Sequence, residues 1–113
     1  FSWQGPINSG IRVHRGKDDR EFDAYAAAGE HFLVMSAKGT ISPRDITELL
    51  AILEEIREYF PEAVNRKAYG ALASLYADES VVTAAERRGL YVIGLRPGMT
   101  TVLNSADFKP AAF

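Results

Sequence analysis

The stretch from Ser42 to Pro61 constrains the fold of this chain more than any other. Ser42-Pro43-Arg44-Asp45 has the chemistry of a helix start: a serine able to accept free backbone N–H groups, a proline suited to the first turn, and an acid at the positive end. Ile46, Leu49, Leu50, Leu53, Ile56 and Phe60 then recur at the three-and-four spacing of one helical face, and Pro61 closes the pattern. This predicts a helix from Pro43 to Phe60. A helix with one apolar face must bury it, and the sequence on either side supplies strands to receive it.

Before the helix, Ile11 and Val13 alternate with polar residues as in a half-buried strand, and Lys17-Asp18-Asp19 makes a polar turn. Glu21 to Ala28 forms a second strand, Gly29-Glu30 a turn, and His31 to Lys38 a third strand. The third is apolar on both faces at Phe32, Leu33, Val34 and Met35, which places it centrally in a sheet. Phe1 to Gly10 reads as an irregular lead-in. After the helix, Ala68 to Ala77 reads as a strand packed closely against a neighbour, with its alanines making helix the competing reading. Asp78 to Arg88 gives a short helix capped by Asp78 or Ser80 and closed by Gly89; Leu90 to Leu95 gives a buried strand, and Val102 and Leu103 an edge strand. Short turns among the first three strands suit antiparallel pairing, whereas strand–helix–strand units suit parallel pairing. The expected class is α/β (α+β), a mixed β-sheet flanked by helices.

At 113 residues with 47% hydrophobic and 25% charged residues, positions 1–113 are expected to form one domain, and the first residue, Phe1, suggests part of a longer chain. There is no cysteine, which excludes disulfides and thiolate metal sites and fits a reducing, cytoplasmic setting. The apolar runs Phe32 to Met35 and Leu90 to Leu95 are far shorter than the ~20 residues of a membrane span, so no membrane partner is expected. A formal charge of −2 is not that of a protein that coats nucleic acid. The charge is unevenly placed, however: Arg12, Arg15, Lys17 and Arg20 lie near the start, while Asp45, Glu48, Glu54, Glu55, Glu58 and Glu62 load the middle with acid.

The run Arg20-Glu21-Phe22-Asp23, a turn, Phe32-Leu33-Val34-Met35-Ser36-Ala37-Lys38 and a long capped helix resembles the active-site hairpin of PD-(D/E)XK phosphodiesterases. The alanine-rich strand and Ala84-Ala85-Glu86-Arg87-Arg88-Gly89-Leu90-Tyr91-Val92-Ile93 are similar to the second half of a small RecB-like branch of that superfamily. The resemblance implies a restriction-endonuclease-like core, DNA as the partner, and hydrolysis assisted by magnesium or manganese with no organic cofactor. It maps the catalytic positions onto Asp23 and Lys38 and the metal-binding positions onto Asp23, Ser36 and the backbone carbonyl of Ala37. Residues two apart on a strand share a face, so Ser36 and Lys38 emerge together. Serine stands where the family carries an acid. A neutral hydroxyl is a poor ligand for a hard cation, so weak metal binding and weakened catalysis are expected. Glu21, on the strand face of Asp23, is one replacement acid and Asp45, in the first helical turn, another; Glu48 and Glu55 lie far round the helix from its apolar stripe.

The residues themselves leave other readings open. Ser36 reads first as a packed, hydrogen-bonded serine, Lys38 depends on Asp23 for any role, and Asp23 has a salt-bridge or turn reading beside the functional one. His14 and His31 lack ligand partners at metal-binding spacing, Trp3 and Phe1 fit an apolar lead-in, and Gly94-Leu95-Arg96-Pro97-Gly98 is a turn without the lysine and helix of a phosphate loop. Three functions follow: a nuclease-like domain, a non-catalytic module of the same fold for binding or assembly with protein partners or itself, and a small-molecule-binding regulatory domain.

Overall fold

A computed structural model of the chain describes residues 8–15 and 18–113, with side chains from residue 23 onward. The strands β1 (Asn8–Arg15), β2 (Asp18–Ala28), β3 (His31–Thr40), β4 (Lys67–Tyr76), β5 (Tyr91–Arg96) and β6 (Met99–Val102) lie side by side in sequence order in one six-stranded sheet. β1, β2 and β3 pair antiparallel, β3 with β4 and β4 with β5 parallel, and β5 with β6 antiparallel. This is the mixed, α+β architecture expected from the sequence. β3 is paired along both edges, and both of its faces are covered, Phe32 and Val34 by the main core and Leu33 by a smaller cluster, which is why all three are buried.

The helices α1 (Pro43–Glu54), α2 (Ile56–Tyr59) and α3 (Glu79–Arg87) connect the parallel strands. Ile46, Leu49, Leu53 and Ile56 bury the predicted stripe against Phe32, Val34, Leu72, Leu90 and Val92 in the main core. The close approach of α1 to β4 depends on Gly70: a Cβ there would stand 2.7 Å from Leu53 Cδ1 and 2.8 Å from Leu90 Cδ2. The opposite sheet face carries a smaller cluster of Leu33, Ala71, Ala73 and Ile93, bordered by Met35, Tyr69, Tyr91 and Leu95. The ring of Phe108 meets Tyr91 edge-on at 5.2 Å.

Several expectations need correction. Of the turn read at Lys17-Asp18-Asp19, Asp18 and Asp19 belong to β2 and pair with Arg15 and His14. Of the turn read at Gly94 to Gly98, Gly94, Leu95 and Arg96 belong to β5. The helix predicted to run unbroken to Phe60 stops at Glu54; Glu55 donates its N–H to the Ile52 carbonyl at 3.1 Å, and α2 restarts at Ile56. The reason lies in the spacing. Leu50, Leu53, Ile56 and Tyr59 are all buried and follow one another by threes, a period that an α-helix cannot hold on one face but a tightened three-residue turn can. Asn8, Ser9 and Gly10, read as irregular, belong to β1, where Asn8 and Ser9 pair with Tyr25 and Ala24. The lead-in at Phe1 and Trp3, the turn residue Lys17, and the side chains of Arg12, His14, Arg15, Arg20 and Glu21 lie outside what the structure describes.

Candidate functional site

The register of β2 on β3 runs from Ala28 opposite His31 to Ala24 opposite Met35. One step further on, the Asp23 carboxylate stands in for a main-chain partner: its Oδ2 accepts the Ala37 N–H at 2.8 Å. The Ser36 hydroxyl donates to the same oxygen at 3.5 Å. Alternation along β3 puts Ser36 and Lys38 on the face of Phe32 and Val34, the face that carries the helices. The structure thus brings Asp23 and Ser36 into contact and sets Lys38 on the same face, exposed, at the end of β3 that leads into α1.

Among the described residues, charge at this end of the sheet is limited. Asp45, a candidate replacement acid by sequence, is committed elsewhere: its Oδ2 accepts the Ser42 backbone N–H at 2.8 Å and the Ser42 hydroxyl at 3.1 Å, capping α1. Glu48 pairs with Arg44 at 3.0 Å on the exposed surface, a contact of small energetic weight. Glu55 sits at the far end of α1, on the order of 15 Å along the axis from Asp45 at 1.5 Å per residue. His31 packs its ring against Tyr69 at 5.5 Å.

The magnesium that the sequence resemblance implies is poorly matched by the described donors. Asp23 supplies one carboxylate with one oxygen already engaged, and Ser36 is neutral. Among the described residues no three His, Cys, Asp or Glu side chains gather to hold a metal ion. A hard cation prefers several charged oxygens, so these residues alone do not complete a site for it.

One neighbour was not singled out by sequence reading. Ser74 is the buried polar residue of the described core, 1% exposed, and stands opposite Lys38 in the β3–β4 register. Its hydroxyl lies within hydrogen-bond reach of the Gly39 carbonyl (3.0 Å) and the Tyr76 carbonyl, and accepts the Tyr76 N–H at 3.0 Å. It therefore ties the residue after Lys38 to the end of β4. The available signal was a serine among the alanines and leucines of β4.

No helix among the described residues is long and apolar enough to cross a membrane. Among solved structures, the chain is similar to the crystal structure of a repair endonuclease from Pyrococcus abyssi, with a TM-score of 0.54 and 16% sequence identity. The match covers 80% of this chain and 40% of that one, so the chain corresponds to less than half of the relative's length. At this identity the likeness shows a shared, nuclease-like fold. No curated protein matches the sequence. Residues 7–102, spanning all six strands of the sheet and all three helices, match the family described as Domain of unknown function (DUF8196), and the chain belongs to that family.

Proposed function

We propose that this chain is a nuclease-like, DNA-binding domain of the PD-(D/E)XK type in which metal-dependent phosphodiester hydrolysis is weakened or lost. The observation that carries the reading is the meeting of Asp23 and Ser36 on the face of Lys38, at one end of a nuclease-like sheet. The position beside Asp23 that would complete a two-carboxylate site holds a hydroxyl. Lys38 supplies a cation for a backbone phosphate, whereas the single carboxylate is too little charge to hold magnesium firmly without further ligands.

Fluorescence anisotropy with a labelled DNA duplex, run in parallel with a gel assay for cleavage in magnesium, tests this. The native chain should bind with an affinity that falls as salt rises. Lys38→Ala should weaken binding and lower the salt slope by about one phosphate's worth. Cleavage should be slow or absent. No binding at low salt, or efficient cleavage that survives Asp23→Asn, would overturn the reading.

A further inference from the structure

Lys38, Ser74, Gly94 and Thr101 occupy matching positions on β3, β4, β5 and β6, forming one row across the helix-bearing face. The row extends three strand spacings from Lys38, roughly 14 Å. Beyond Ser74 it opens into a cavity of about 300 Å³ at the ends of β4, β5 and β6, with Tyr76, Arg96 and Leu103 on its walls. Gly94 lets the Leu103 side chain pack down onto the floor: a Cβ there would come within 3.3 Å of Leu103 Cδ2.

The walls have complementary chemistry. Tyr76 is 59% exposed, and its hydroxyl donates to Asp78 Oδ1 at 2.8 Å, which holds the ring at the outer end of β4. Arg96 is exposed and anchored by one nitrogen, Nη1, to the Leu75 carbonyl at 2.5 Å, leaving the other nitrogens of the guanidinium for a further acceptor. Leu103, 40% exposed, supplies an apolar edge. An exposed aromatic ring, a guanidinium and an apolar wall in one small cavity suit a planar base attached to a phosphate, because stacking needs only a flat face and the cation meets the backbone.

We propose that this cavity is a nucleobase subsite, which receives one unstacked base of a single DNA strand whose backbone runs along the row from Lys38. The inference rests on the DNA-binding reading given above and adds a preference for single strands with exposed bases. Ser74 joins the two regions, since its hydroxyl fixes the strand end next to Lys38 and the strand end that carries Tyr76.

The test compares two fluorescein-labelled strands of equal length and charge, an oligothymidylate and one made of abasic nucleotides. Anisotropy should show the native chain binding oligothymidylate roughly tenfold more tightly. Tyr76→Ala should abolish that preference while leaving the abasic strand's affinity unchanged, and Tyr76→Phe should retain it. Thermal melting checks that each variant folds. On the native chain, which needs no variant, the Gly94 and Thr101 amide resonances should shift with oligothymidylate and not with the abasic strand. Equal affinity for the two strands, or base-dependent shifts that bypass Gly94 and Thr101, would overturn the subsite while leaving DNA binding through Lys38 standing. Failure to bind either strand or a duplex would overturn both.

Discussion

The Asp23 carboxylate and the Ala37 main-chain N–H are joined at 2.8 Å, a bond from a side chain where the β2–β3 ladder has stopped. Asp23 therefore has a structural task whatever else it does. Asn keeps an oxygen able to accept this N–H and Ala does not. Asp23→Ala is expected to cost about 1 kcal/mol and Asp23→Asn less, the difference between losing one hydrogen bond and losing only its charge. Urea denaturation of the two variants checks this; equal stability loss would show that the bond carries no weight.

Packing between α1 and β4 makes a second prediction, one of coupling. Leu53 is 1% exposed, and Leu53→Ala should cost about 2 to 5 kcal/mol. Gly70→Ala places a methyl 2.7 Å from Leu53 Cδ1 and should cost about 1 to 3 kcal/mol through overpacking. The double variant removes one of the two obstructing groups, Leu90 remaining, and partly fills the space that Leu53 leaves, so its cost should fall below the sum of the single costs by at least about 0.5 kcal/mol. Additive losses by chemical denaturation would reject the contact.

Tyr91 gives a pH prediction. Burial first, and the negative charge of an ionised Tyr69 second, raise its pKa above the ordinary value of 10.0. The folded chain thus keeps the phenol proton where the unfolded chain releases it. Below pH 10 both states are protonated and the contribution to stability is complete; it is lost as pH rises from there through the raised folded value. Melting temperatures measured between neutral pH and about pH 11 should fall less steeply at the alkaline end in Tyr91→Phe than in the native chain. An unchanged slope would contradict the assignment.

Periodicity made the α1 stripe and the central strand legible, because burial on one face or two writes itself into residue spacing. The meeting of Asp23 with Ser36 was accessible through the hairpin, since one short turn at Gly29-Glu30 fixes the register. The bond from Asp23 to Ala37 was not, because it depends on where the ladder stops. Likewise, Asp45 looked available by sequence, yet its carboxylate is taken by Ser42 only one turn away. Asn104 shows the same limit: its Oδ1 accepts the Val92 N–H at 2.8 Å and its Nδ2 donates to the Leu90 carbonyl at 3.1 Å, so a side chain acts as strand beyond β6. No pattern of hydrophobicity encodes such a bond. Ser74 was hidden for a different reason, as a small residue in a strand of small residues whose significance comes from its register with Lys38.

The central claim is that Asp23, Ser36 and Lys38 form a nuclease-like site lacking one carboxylate. Ser36 already touches Asp23, at 3.5 Å, so a carboxylate at position 36 would stand beside the first. Isothermal titration calorimetry with manganese on the native chain, Ser36→Glu, and Ser36→Glu combined with Asp23→Asn tests this most directly. The native chain should bind weakly, Ser36→Glu at least about tenfold more tightly, and the double variant should lose the gain. Tight binding by the native chain, or a gain in Ser36→Glu that survives loss of the Asp23 charge, would contradict the account.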